Sequence, residues 1–110
     1  MKQINLNNYR TKVGRTRSRV FTGRDRGAEV RDHSGIDTLF SESEPLTIII
    51  PDDIFSITPS FLEELFKNIV QQYGKETTIQ NVKFEGKYRI KSAFDEALDR
   101  ILEQKTGLEV

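Results

Sequence analysis

The chain has 110 residues, the usual size of one domain, which leaves no room for a second. It contains no cysteine, so a secreted fold held together by disulfides is excluded and a cytoplasmic protein is expected. No apolar run approaches the roughly 18 residues of a membrane span, and the first residues lack the apolar core of a signal peptide.

Charge is distributed unevenly along the chain, although the net charge is zero. Residues 1–26 hold eight basic residues and one acidic residue, whereas the rest of the chain holds nine basic and sixteen acidic residues. A basic front therefore precedes an acidic body. This pattern predicts a basic N-terminal arm or edge strand over residues 1–19 and a folded domain over residues 20–110.

The first third of the chain gives short local signals. The first nine residues alternate apolar and polar side chains, which is compatible with a short strand or an ordered arm. In an extended segment, Arg15, Arg17 and Arg19 would lie on one face. Thr22 is the predicted N-cap of a short helix that stops at Gly35.

The remaining chain gives stronger signals. The β-branched run over residues 46–50 predicts a central strand buried on both faces, and the apolar spacing over residues 59–73 predicts a helix that stops at Gly74. Residues 77–84 predict another strand, and residues 90–102 predict a terminal amphipathic helix. The order predicts a single α/β domain with a small, mainly parallel or mixed sheet and helices packed on it.

Few residues are candidates for catalysis. One histidine and no cysteine cannot form the usual zinc clusters, and His33 is expected on the solvent face of a helix. The glycines match no phosphate-binding or dinucleotide-binding motif. Asp52 and Asp53 follow the predicted central strand, where they either form a turn or hold magnesium, and the turn is favoured. We therefore expect no cofactor, no metal and no enzymatic activity.

The segment over residues 57–64 contains the turn from a strand into a helix, and the predicted helix begins at residue 59. Pro59 suits the first helical position with Thr58 as N-cap; alternatively, Ser60 is the N-cap with Glu63 three residues later. Either arrangement places hydroxyl groups at a helix start, where a phosphate would be accommodated and would change the charge by about −1.5 to −2. Alternatively, these hydroxyl groups do no more than cap the helix.

Four segments carry a family resemblance, namely TGRDRGAEVRD, IIIPDDIFSITPSFLEELF, IQNVKF and AFDEALDRIL. Over residues 20–103 the chain resembles the STAS-like domains of bacteria, which are distant relatives of the anti-sigma factor antagonists. The resemblance implies a mixed sheet with helices on it and a partner of the histidine-kinase-like ATPase type. It also implies partner switching, in which phosphorylation of a serine at the strand-to-helix turn breaks the complex.

The turn itself departs from the antagonist pattern. The Asp-Ser-Ser-Gly-Leu turn of the antagonists corresponds to residues 58–62, so the phospho-acceptor position falls on Pro59 and Ser60 matches the second serine. The resemblance implies a partner-binding surface or phospho-acceptor at this turn. The first exposed residues of the predicted helix are expected to include Glu63 and Glu64. The candidate residues are Thr58, Ser60, Phe61 and Glu64.

The basic segment over residues 10–26 suggests an alternative function, which is nucleic-acid binding. Its cations could meet several phosphates without reading bases, although Tyr9 and Phe21 are the only interleaved aromatic residues. Alternatively, the segment is a solvated arm, binds an acidic partner protein, or pairs with the acidic body of the same chain or of a second copy in a homo-oligomer. The candidate patch is Lys12, Arg15, Arg17, Arg19 and Arg24.

Overall fold

A computed structural model describes residues 2–107. Its elements follow in the order β1 (Lys2–Asn5), a 3₁₀ helix (Leu6–Tyr9), β2 (Lys12–Val13), β3 (Thr16–Arg17), β4 (Val20–Phe21), α1 (Arg24–Ser34), α2 (Ile36–Leu39), β5 (Leu46–Ile49), β6 (Ser56–Ile57), α3 (Pro59–Tyr73), α4 (Lys75–Asn81), β7 (Val82–Glu85) and α5 (Lys91–Gly107). The first residue of the predicted arm over residues 1–19 and the last three residues of the predicted domain over residues 20–110 lie outside the described residues.

The main sheet has three parallel strands in the order β1, β5, β7. β5 lies in the middle, so the predicted central strand is confirmed, and the register aligns Ile4, Ile48 and Phe84 across the sheet. β1 is an edge strand, and Ile4 and the following Leu6 are buried in the core. The first residues of the basic front are therefore an integral part of the fold.

Helices cover the face of the sheet on which Phe84 lies. The ring of Phe84 packs against Phe66 of α3 and Phe94 of α5, with centroid distances of 6.4 and 4.9 Å. On the opposite face Thr47 is buried, but Ile49 is half-buried. The burial on both faces that was predicted for β5 therefore ends before Ile49.

α3 is the middle helix of three, since it contacts both α1 and α5. Its predicted limits are confirmed, because Thr58 is the N-cap, Pro59 occupies the first position and Gly74 is the C-cap. The alternative cap at Ser60 is therefore wrong. The local signals at this helix were sufficient because the capping hydroxyl, the proline and the apolar stripe all agree.

α1 ends where the sequence predicted but begins differently. Its C-cap is Gly35, whose φ of 68° lies in the left-handed region that favours glycine. Its N-cap is Gly23 rather than Thr22, and no side chain caps the helix from that position. The exposed amides at the start of α1 are therefore not satisfied by a residue of the usual capping kind.

Residues 77–84 do not form one strand as predicted. α4 occupies the first part of this segment, and the strand β7 begins only at Val82. Thr78 is fully buried, and its Oγ1 donates to the carbonyl of Gly74 at 2.7 Å, one helical turn earlier. Ile79 is 41% exposed. The apolar residues that suggested one strand therefore belong to two elements, Ile79 to α4 and Val82 and Phe84 to β7.

The basic segment folds back on itself. β2 and β3 pair antiparallel, with Lys12 opposite Arg17, around a turn at residues 14–15. The amide of Ser18 donates to the carbonyl of Thr11 at 2.7 Å and closes this hairpin. The prediction of one extended segment with all its arginines on one face is therefore wrong.

A further parallel pair joins the segments that enter α1 and α3. In this pair β4 aligns with β6, so that Phe21 lies opposite Ile57. Together the elements form a single compact α/β domain with a small parallel sheet, as predicted. Among residues 2–107, no helix is both long and apolar enough to cross a membrane.

The contact between α1 and α3 requires glycine at residue 27. A Cβ atom at Gly27 would lie 2.3 Å from the carbonyl oxygen of Phe61 and 2.9 Å from Cβ of Glu64. We expect Gly27→Ala to lower the free energy of unfolding, because overpacking costs about 1–3 kcal/mol and exceeds the roughly 1 kcal/mol of helix propensity that alanine adds. Urea denaturation measures the change.

The control is His33→Ala at an exposed position of the same helix, which we expect to alter stability by no more than about 0.5 kcal/mol. A Gly27→Ala variant more stable than wild type would show that the two helices do not approach so closely.

Candidate functional site

The N-terminal ends of α1 and α3 are tied together by one hydroxyl group. Oγ1 of Thr58 accepts a hydrogen bond from the amide of Phe61 at 3.4 Å, which caps α3. It also accepts one from the amide of Gly23 at 3.2 Å, which fixes the N-cap of α1. A third contact, of 3.1 Å, joins this oxygen to Oγ of Ser60.

The direction of the contact between the two hydroxyl groups follows from their capacities. A threonine oxygen has two lone pairs, and both are used by the amides of Gly23 and Phe61, so Thr58 donates its proton to Ser60. Ser60 is then free to direct its own proton elsewhere. The structure therefore gives Thr58 a structural role and leaves the hydroxyl group of Ser60 available.

Ser60 lies on the wall of an open cleft of about 610 Å³. The other lining residues come from the start of α1 and from the residues just before it: Thr22, Gly23, Arg24, Asp25, Arg26 and Glu29. The structure thus brings together two of the predicted residues, Ser60 and Arg24. From the sequence, these two residues were predicted at different sites.

The carboxylates of α3 are engaged by arginines of α1. Glu63, predicted to be exposed, is 1% exposed, and its Oε2 lies 2.6 Å from Nη1 of Arg24. Glu64 is paired with Nη1 of Arg31 at 3.1 Å, and the same nitrogen donates to the Glu64 carbonyl at 2.6 Å. These partners neutralise both charges, so the prediction that a docking protein would meet exposed carboxylates here is wrong.

The ring of Phe61 is also unavailable to a partner. It is 0% exposed and packs against Phe21 with a centroid distance of 5.2 Å. Phe61 therefore belongs to the core beneath the cleft, and its prediction as a contacting residue is wrong. Phe61 faces inward because it lies on the apolar stripe of α3 that continues with Leu65 one turn later.

The predicted basic patch is divided between two places. Lys12, Arg15, Arg17 and Arg19 are exposed on the hairpin and directly after it. Arg24 lies at the cleft instead, where Glu63 holds its guanidinium group.

Asp52 and Asp53 form a turn, as predicted. Both oxygens of Asp53 accept hydrogen bonds from Arg10, at 3.0 and 2.7 Å, and this guanidinium group lowers the pKa of Asp53. The contribution of the pair to stability is therefore present at neutral pH and is lost as the pH falls through the lowered pKa. No group of three or more metal-ligating side chains occurs within residues 2–107.

Several residues that matter at these surfaces were not predicted from the sequence. Asp25, Arg26 and Glu29 line the cleft, and Glu29 is about one helical turn from the other two, at spacings of four and three residues. That spacing, on a helix which was itself predicted, is a signal that could have found them. Phe55 is 70% exposed, but it stands between Ile54 and Ser56, and nothing in the local sequence distinguishes it from the buried Ile54.

Searches against models of known families, against curated proteins and against solved structures find no match for this chain.

The double role of Thr58 can be measured as stability. We expect Thr58→Ala to lower the free energy of unfolding by about 1–2 kcal/mol, because it removes a helix cap and leaves the amide of Gly23 without its partner. Thr58→Ser keeps the oxygen and should recover most of the loss. Ser60→Ala should cost less than Thr58→Ala, since no backbone amide depends on Ser60.

Denaturant unfolding of the three variants gives these differences. Equal losses for Thr58→Ala and Thr58→Ser would contradict the capping role of the hydroxyl group.

Proposed function

We propose that this protein is a non-enzymatic regulatory module that docks on a partner protein through the cleft between the starts of α1 and α3. The observation that carries this proposal is the hydroxyl group of Thr58, which binds the ends of both helices and so holds Ser60 opposite the first turn of α1. A surface fixed by two helix ends is pre-organised, which lowers the entropy lost when a partner binds.

The chemistry of the cleft suits a protein surface. No side chain caps α1 from Gly23, so the first amides of this helix can donate to a partner, and the helix dipole favours an acceptor there. Asp25 lies beside them and can accept hydrogen bonds, while the neighbouring carboxylate of Glu29 is paired with Arg26. The cleft thus offers hydrogen-bond donors and acceptors as well as positive and negative charges. Such a mixed surface favours a polypeptide over a uniformly charged ligand.

The resemblance to STAS-like domains supplies the kind of partner, a histidine-kinase-like ATPase. In this proposal the γ-phosphoryl group of ATP passes to Oγ of Ser60, which loses its proton, and ADP is released. Ser60 is favoured over Thr58 as acceptor because the lone pairs of Thr58 are occupied by two amides. The phosphate would add about −1.5 to −2 charges at the cleft and so weaken docking.

The test is affinity capture from the native host with the wild-type chain and with Ser60→Asp. We expect wild type to capture a histidine-kinase-like ATPase and Ser60→Asp to lose it, because the added carboxylate mimics the phosphorylated state. Ser92→Asp is the matched control, since Ser92 is an exposed serine in the first turn of another helix and does not line the cleft.

Circular dichroism establishes that each variant is folded. Equal capture of the ATPase by wild type and a folded Ser60→Asp would exclude the cleft as the interface. The phosphorylation step is tested by incubating the chain with that ATPase and ATP: a phosphate on Thr58, or on neither residue, would contradict the assignment of Ser60.

A further inference from the structure

A second surface lies at the hairpin, outside the cleft. Lys12, Arg15, Arg17 and Arg19 are exposed there. Within the part of the chain that the structure describes, none of these four side chains forms a salt bridge. Nη1 of Arg17 donates to the amide oxygen of Asn7 at 3.2 Å, a bond that leaves its charge unneutralised. The hairpin and the residues directly after it therefore carry four exposed cations that form no salt bridge with the described residues.

An exposed aromatic ring lies next to these cations. Phe55 is 70% exposed, although a ring of this size is usually buried in a folded protein. Its backbone amide donates to the carbonyl of Arg19 at 3.0 Å, so the two side chains start from neighbouring backbone positions. Phe55 therefore lies beside Arg19, the residue that follows the hairpin by two positions.

Arg10 fixes the hairpin to the loop that carries Phe55. Its guanidinium group donates to both oxygens of Asp53, and its Nε donates to the carbonyl of Ser18 at 3.0 Å. The side chain of Arg10 is only 6% exposed in this arrangement. The backbone segments that carry the cations and the ring are therefore held together before any ligand arrives, which lowers the entropy lost on binding.

This combination fits a polymer of phosphates with unpaired bases. Exposed cations neutralise phosphates, and an exposed aromatic ring stacks on an unpaired base, whereas bases within a duplex offer it no free face. Arginine also binds phosphate through two hydrogen bonds and stacks on planar groups. We propose that Lys12, Arg15, Arg17, Arg19 and Phe55 form a binding surface for single-stranded nucleic acid.

The electrostatic part is tested by fluorescence anisotropy of a labelled single-stranded oligonucleotide titrated with the full chain at several salt concentrations. We expect log affinity to fall linearly with log salt, and Arg15→Gln/Arg17→Gln to reduce the steepness by about 1.4, or about 0.7 per lost phosphate contact. Lys67→Gln/Lys83→Gln removes the same charge outside the hairpin and should leave the slope unchanged.

The stacking part is tested at Phe55. We expect Phe55→Ala to weaken binding about 5- to 150-fold without changing the salt slope. Phe55→Leu keeps an apolar side chain but removes the ring face, so it should bind as weakly as Phe55→Ala. Circular dichroism of each variant confirms that the fold is retained.

Three results would overturn the proposal. The first is the absence of binding to the single strand at low salt. The second is binding to a duplex of the same sequence that is equally tight and insensitive to Phe55. The third is tighter binding to vesicles containing phosphatidylserine than to the oligonucleotide, together with undiminished vesicle binding by Phe55→Leu. That result would assign the surface to a membrane instead.

Discussion

The close contact between α1 and α3 is the constraint on which the remaining structure depends. It is possible because Gly27 lies directly against the backbone of Phe61, where any side chain would collide. Arg31 donates across the same contact to the carbonyl of Glu64, and Thr58 joins the two helix ends. Packing, an ion pair and a shared cap therefore hold the same two helices in one position.

This contact also determines which charges reach the surface. Glu63 and Glu64 point toward α1 and are matched by Arg24 and Arg31, so the acidic start of α3 is neutralised inside the molecule. Among the residues that the structure describes, the oxygen Oε1 of Glu63 has no hydrogen-bond donor, and it lies 3.9 Å from Nη1 of Arg100. A buried carboxylate needs such partners because an unpaired one is costly.

The cleft and the hairpin consequently differ in charge. At the cleft, arginines face carboxylates of the same chain, and the surface is mixed. At the hairpin, four cations form no salt bridge among residues 2–107. Basic residues of α1 are thus paired with acidic residues of α3, whereas the basic residues from β2 to the residue before β4 form no salt bridge with the described residues.

Elements with agreeing local signals could be predicted from the sequence. The β-branched run of β5, the cap and proline of α3 and the glycine that ends α1 act within a few residues of the chain. The segment over residues 77–84 failed because its apolar residues suit a strand, while the bond of Thr78 to Gly74 favours a helix. The spacing of a few apolar residues cannot distinguish the period of a strand from that of a helix.

The site was predictable only in part, because its geometry depends on residues far apart in the chain. Thr58 and Ser60 were found from the capping pattern, but the approach of Gly23 to Thr58 spans 35 residues and leaves no local signal. The burial of Glu63 likewise depends on Arg24 and Arg100, which belong to two other helices. Phe61 was misplaced for the same reason, since its partner Phe21 is distant in sequence.

The central claim is that the cleft between α1 and α3 is where a partner docks. Amide hydrogen exchange of the full chain, alone and with the proposed partner, a histidine-kinase-like ATPase, tests it most directly. The amides at the start of α1 have no capping side chain, so they exchange readily in the free chain. The account predicts slower exchange at residues 23–26 and 58–61 in the complex, and unchanged exchange in β1 and β7. Slower exchange in β1, β7 or the hairpin, with none at the two helix starts, would contradict it.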